Sequence, residues 1–344
     1  MALLFFDNFG GYAIADIGKI WSQVTGLTPT LSSTGGRNNL SYLSTANNGQ
    51  NNQSSVFSPI FSTSQTFVVG FAYYSPTTIS TANPFIIMNI IDGNTNTVQC
   101  SLGTLPSGQL AVYRGDTTAL NTSGTSSLGL VSNTWYYIEI KVTIADSIGA
   151  GTCEVKVNNI TWVTVDAGQD LKAGTNAFAN HIRFGRCVNG ASDIRLTDIY
   201  IDNGTTFLGD CTVSTLTVSG AGTTNTLTTG TFADVDDALV DSDSTYAESA
   251  VNGQLATFAM SNLPGTPTTI HAVSPRNCVR KTDGGTKQFG AVVRSGGTDY
   301  VQATANALDS FIYDAPILTV DPATGVAWVA AGVNAVEVGV KVLS

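Results

Sequence analysis

Four glutamates, Glu139, Glu154, Glu248 and Glu337, and two histidines, His181 and His271, are the side chains of this 344-residue chain best suited to acid–base chemistry. Glycoside hydrolysis by paired carboxyls needs them about 5–5.5 Å apart for retention, or about 6.5–9.5 Å for inversion. A strand reading E-x-D-x-x-E would supply such a pair on one face of a sheet, and no glutamate here sits in that pattern. Glu139 alternates with Lys141, as on a solvated strand face. A Ser or Cys nucleophile needs a base beside it, and no G-x-S-x-G elbow is present. His271 and Cys278 flank Arg276, with Arg280 just beyond. That grouping can lower a thiol pKa, and it reads equally as a solvated basic cluster. The expectation is a chain that is not an enzyme and has no catalytic residues.

Calcium is the cation whose oxygen ligands this composition best supplies. Asp234, Asp236 and Asp237 open the densest acidic stretch, which continues to Asp241 and Asp243. Asp92, Asn94 and Asn96 place oxygen ligands at alternate positions of a turn. Neither stretch carries the glycine and closing glutamate of an EF-hand loop, and both read equally as turns capped by their own side chains. Sugar binding would use strand aromatics, for which Tyr73, Tyr113, Tyr136 and Trp162 are candidates. The five cysteines, Cys100, Cys153, Cys187, Cys211 and Cys278, include no CxxC pair, and an odd number cannot all pair within one chain. Free thiols are expected, with intermolecular oxidation at Cys187, Cys211 or Cys278 as the alternative.

The elements that must position these groups are strands. Phe67–Tyr74, Phe85–Ile91, Gln109–Tyr113, Cys153–Val157, Thr161–Val165, His181–Phe184 and Asp193–Asp202 are β-branched and aromatic runs between Gly/Asn/Ser turns. Over Trp135–Ile144, Tyr137, Glu139, Lys141 and Thr143 face one way, and Tyr136, Ile138, Ile140, Val142 and Ile144 the other, the alternation of a half-buried strand. Further strands are expected at Thr257–Met260, Thr269–Val273, Phe289–Val293, Ser310–Tyr313, Ile317–Val320 and Glu337–Val342. No stretch shows a sustained helical period. The expected fold is all-β, with two jelly-roll-like β-sandwich domains over residues 1–211 and 231–344. Between them, residues 212–230 form a Ser/Thr/Gly-rich linker or a crossing strand.

Charged residues make up 12% of the chain, against about 25% in an average domain. Fifteen basic and 25 acidic residues leave a net charge of −10. That balance argues against nucleic acid and anionic membrane surfaces as partners. No apolar run approaches the roughly 20 residues of a membrane helix. The N-terminal MALLFF has no basic residue ahead of it, so no signal peptide is expected and synthesis in a cytoplasm is.

Several segments carry a family resemblance: DNFGGYAIADIGKIW, GQLAVYRG, SNTWYYIEIKVTIADSIGAGTCEVKVNN and RLTDIYIDNGTTFLGDCTVSTL. Together they resemble the LamG/concanavalin A-like jelly-roll domains of tailed-bacteriophage virion proteins. DSDSTYAESAVNGQLATFAMSNLP, IHAVSPRNCVRKTDGGTKQFG and DPATGVAWVAAGVNAVEVGVKV resemble the companion module of such proteins. The resemblance implies pairing of the two terminal strands of the first domain, and a calcium near the rim of some members. It also implies a structural role on the virion, as a tail, neck/collar or head appendage assembled in the bacterial host. The partners would be other copies of the chain, a trimer first, and other virion proteins. The alternative is a receptor-binding adhesin that recognises host surface glycans.

Overall fold

The structure, a computed structural model, describes residues 2–45, 52–77, 85–116, 118–120, 125–146, 151–190 and 193–344. It is all-β, with helix at 6%. The two α-helical pieces are single turns, Ile17–Ile20 and Ala330–Asn334. The chain divides into two compact units. One comprises residues 1–10 and 14–213, the other residues 11–13 and 214–344.

The first unit has two antiparallel sheets of eight strands each. The first sheet runs Ile160–Gln169, Gly151–Val157, Trp135–Thr143, Thr66–Tyr74, Arg195–Asp202, Tyr42–Ser44, Thr30–Ser32, with Leu3–Asp7 also on Arg195–Asp202. The N-terminal strand therefore pairs with the last strand of the unit, Phe6 opposite Tyr200. The second sheet runs Thr118–Ala119, Gln109–Arg114, Thr97–Thr104, Phe85–Asp92, His181–Gly190, Asn52–Phe57, Gln23–Gly26, with Thr125–Gly129 also on Gln109–Arg114.

Alternation sends Phe67, Val69, Phe71, Ile138, Ile140 and Val142 of the first sheet inward, all at 0% exposure. They face Met88, Ile90, Leu102, Val112 and Phe184 of the second. The rings of Phe71 and Phe184 meet edge-on, 5.6 Å apart, across the sandwich. The DNF…W segment closes one end of this core. Trp21 Nε1 donates to Asp7 Oδ2 at 2.9 Å, and the Phe9 ring stacks on the indole at 5.2 Å.

The second unit has a six-stranded sheet in the order Val218–Asn225, Leu255–Met260, Glu337–Val342, Lys287–Ser295, Thr298–Val301, with Ala305–Ala307 also on Lys287–Ser295. Asn277–Val279 and Ile312–Asp314 form a separate ribbon. Val293, Leu318, Trp328, Val333 and Val336 form its core cluster. Within residues 212–230, Val218–Asn225 is a strand on the edge of this sheet. Two expected strands are absent. Thr269–Val273 and Ile317–Val320 contribute only the isolated bridge Val273–Leu318, because their Pro, Ser and Thr neighbours leave too few residues in register for a ladder.

Candidate functional site: an aromatic and arginine row on the first unit

Four neighbouring strands of the first sheet each place one residue in a row on its outer face. Trp135 lies opposite Tyr74, Tyr74 opposite Arg195, and Arg195 opposite Ser44, two residues along the strand from Tyr42. The Tyr74 and Trp135 rings are 5.1 Å apart and those of Tyr42 and Trp135 6.4 Å apart. The Arg195 guanidinium lies 4.8 Å from the Tyr42 ring centre and 5.0 Å from that of Tyr74, within cation–π range of both. All four side chains are half-buried. The Tyr74 hydroxyl donates to Asn133 Oδ1 at 3.1 Å, which restrains the ring.

Further along the same face the sheet is covered. Residues 207–213 lie over it and are pinned by side chains of the strands beneath. Glu139 Oε1 accepts the Gly209 N–H at 2.9 Å and the Tyr200 hydroxyl. Asp198 Oδ1 accepts the Val213 N–H at 2.9 Å. Arg37 donates to the Cys211 carbonyl at 2.8 Å, pairs with Asp210 and Asp198, and sits 5.0 Å over the Tyr137 ring. The Tyr200 ring lies flat over Gly70, where an added Cβ would come within 2.1 Å of Tyr200 Cε1. Only glycine lets the ring lie there.

Glu139 is thus 1% exposed, and the expectation of a wet strand face fails at this position. The strand alternates as expected, but its outer face is roofed at Tyr137 and Glu139. Burial pushes the Asp198 carboxyl up to about 6, against the pull of the Val213 N–H and Arg37. Burial also pushes the Cys211 thiol up to about 12, so it is held as an unreactive thiol.

The other candidates resolve as follows. Tyr73 and Tyr113, expected as sugar platforms, are 1% exposed and serve packing instead. Tyr136 and Trp162 are half-buried, with rings 6.3 Å apart, away from the row. Sequence reading missed Tyr42, Tyr74, Trp135 and Arg195 as a set, because only the strand order brings them together.

The Asp92 carboxylate is spent locally. Oδ1 accepts the Asn94 N–H at 3.0 Å, and Oδ2 accepts from Thr95 at 2.8 Å and Asn176 at 2.7 Å. Asn94 Oδ1 takes the Asn180 amide, and Asn96 holds a left-handed turn with φ of 53°. Asp234 caps the short helix Phe232–Asp234 by accepting from Thr231 N–H and hydroxyl at 2.8 and 2.9 Å. Asp237 accepts from the Thr245 hydroxyl, and Asp236 is exposed. The Asp92 and Asp234 carboxylates are thus engaged by protein donors, whereas Asp236 faces solvent. Among the described residues, no three His, Cys, Asp or Glu side chains converge as metal ligands.

His181 is buried, with Nε2 at 3.0 Å from the Ser22 hydroxyl and 2.9 Å from the Ser58 carbonyl oxygen. Burial lowers its pKa. His271 belongs to the other unit. Cys100, Cys153 and Cys187 are buried, Cys211 and Cys278 are half-buried, and among the described residues none is joined in a disulfide.

No protein-family model matches the chain, and no curated protein matches it. Among solved structures, it is similar to the alginate lyase Aly36B at 11% identity and a TM-score of 0.41, over 57% of this chain and 95% of that one. It is similar to the cellulose-induced protein Cip1 at 15% and 0.45, over 60% of this chain and all of that one. It is also similar to Trypanosoma rangeli sialidase at 12% and 0.40, over 60% of this chain and 32% of that one. Two of the three carry enzyme names, and the expectation that this chain is not an enzyme is corrected on that account.

Proposed function

We propose that the chain is a carbohydrate-binding appendage whose first unit holds a glycan along the row Trp135, Tyr74, Arg195 and Tyr42. The observation that carries this reading is the row itself. Aromatic faces with one apolar side and a polar tip suit pyranose rings, which offer C–H faces and hydroxyl edges. Adjacent strands lie about 4.8 Å apart, so four of them span roughly 14 Å, the scale of an oligosaccharide rather than one sugar. The resemblance to tailed-phage virion proteins supports a place on a particle, with host surface glycan as the ligand.

The second unit supports the other half of that reading, assembly with further copies or with neighbouring virion proteins. Val251, Leu308, Val326 and Val329 are each at least half exposed there. A trimer is the first expectation, and several weak glycan sites on one oligomer would multiply affinity.

A glycan array carrying bacterial surface polysaccharides tests the binding reading. The full chain should bind at least one immobilised glycan, and Trp135→Ala with Tyr74→Ala should lose it while the fold, followed by circular dichroism, stays intact. Binding unchanged in the folded double variant, or no glycan bound by the unaltered chain, would overturn the reading.

A further inference from the structure

We propose that the row selects acidic polysaccharides, with the Arg195 guanidinium taking the carboxylate of a uronic-acid residue; this deepens the carbohydrate reading above and rests on it. Arg37 is paired with Asp198 and Asp210, and Lys141 with Glu154 at 3.0 Å. Lys156 reaches the same Glu154 at 4.0 Å. Arg195 forms no ion pair and donates no hydrogen bond among the described residues. The acidic group that senses it is Asp193, two residues earlier, whose carboxyl burial pushes up while Arg186 and Arg195 pull it down. No ion pair between Asp193 and Arg195 forms.

The Arg195 guanidinium lies over both the Tyr42 and the Tyr74 rings, and its N–H edge has no acceptor among the described residues. That edge matches a carboxylate through two parallel hydrogen bonds. The rings also restrain the long side chain, so little conformational freedom is lost when the carboxylate arrives. In a chain of net charge −10, a cation in an aromatic row with no ion pair among the described residues is the feature that distinguishes this row from a neutral-sugar platform. Trp135 and Tyr74 would stack on the ring that carries the carboxylate or on its neighbour.

Polygalacturonate and the same polymer carboxyl-reduced to neutral galactan, each immobilised on a biosensor, are the probes. The full chain should bind polygalacturonate at least tenfold more tightly than the reduced polymer. Arg195→Gln, which keeps the stem and removes the charge, should abolish that preference, and Arg195→Lys should restore part of it. Circular dichroism of each variant confirms folding. Equal affinity for the two polymers, no binding to polygalacturonate, or a preference that survives in Arg195→Gln would overturn the inference. In the first and third cases the carbohydrate reading stands. In the second, the glycan array decides it separately.

Discussion

The two units use similar strands to different ends. In the first, two sheets of eight strands enclose a continuous aromatic and aliphatic core, and even the outer face of one sheet is partly roofed by residues 207–213. In the second, one six-stranded sheet buries Phe258, Phe289, Val292, Val293, Trp328 and a few smaller aliphatic side chains; large apolar side chains stay exposed in both units, Ile60, Val131 and Ile160 in the first and Val251, Val326 and Val329 in the second. The first unit therefore rests on apolar burial, which is large per side chain. The second leans more on polar contacts. Glu337 is one: its Oε2 accepts from the Thr223 N–H at 2.7 Å and the Thr257 hydroxyl at 2.6 Å, and its Oε1 from the Thr223 hydroxyl at 2.6 Å, across three strands. A surface held rigid by its own core can present a binding row, and a thinly cored unit gains most from neighbours.

Phe71→Ala should break the contrast most severely. The ring is fully buried and meets Phe184 across the sandwich. Its loss should cost about 3–5 kcal/mol. Calorimetry should show the transition of the first unit lowered and that of the second unchanged. A single transition that shifts as a whole would show that the units do not unfold independently.

Gly70→Ala comes next. The new methyl would collide with the Tyr200 ring and approach the Tyr137 hydroxyl at 2.8 Å. Overpacking of this kind costs about 1–3 kcal/mol. Because Tyr200 and Glu139 hold residues 208 and 209, proteolysis near residues 207–213 should quicken before the core melts.

Acid should act with opposite signs at two carboxyls, one in each unit. Asp198 has a carboxyl raised to about 6 by burial, so folding favours its protonated form. Its contribution to stability is full below the unfolded value near 3.9 and is lost as pH rises through about 6. Burial also acts to raise Glu337, but hydrogen bonds from Thr223 and Thr257 and the Arg294 charge outweigh it and hold the carboxyl below its ordinary range. Its contribution is present above the unfolded value near 4.3 and is lost as pH falls through the lowered one. Between pH 7 and 4 the first unit should gain on the order of 2 kcal/mol from Asp198. Asp198→Asn should flatten that slope, and Glu337→Gln should remove the acid sensitivity that Glu337 itself carries. Melting curves across this range check both signs.

The sandwich was legible because alternation is a local property. Trp135–Ile144 and Phe67–Tyr74 could be written down from side-chain type alone, and the strands run Trp135–Thr143 and Thr66–Tyr74. What crosses strands was not legible. Nothing in the spacing of Tyr42, Tyr74, Trp135 and Arg195 says that their strands are neighbours, since the order depends on pairings between residues far apart in the chain. Likewise, the alternation at Glu139 correctly put it on the outer face, but a strap more than sixty residues later decides that this face is dry. Thr269–Val273 fails in the opposite sense: its residues favour a strand, and no neighbouring strand is in place to accept its ladder.

Glu154→Gln should have the smallest effect and gives the sharpest control for Glu139. The two glutamates stand on adjacent paired strands, with Glu139 opposite Lys156 and Glu154 opposite Lys141, so the sequence presents them as equivalents. Glu154 lies beyond the roof. It pairs with Lys141 at 3.0 Å and accepts from the Thr161 hydroxyl at 3.0 Å, in contact with solvent. Exposed pairs of this kind contribute about 0.2–1 kcal/mol, less in salt. Glutamine at this position keeps an acceptor for Thr161, so chemical denaturation should shift by less than about 1 kcal/mol, and raising the salt concentration should shrink the difference. Glu139→Ala, by contrast, leaves the Tyr200 hydroxyl and the Gly209 N–H without their buried acceptor and should cost about 1–3 kcal/mol with no relief from salt. Equal losses at the two positions would mean that residues 207–213 do not exclude water from Glu139.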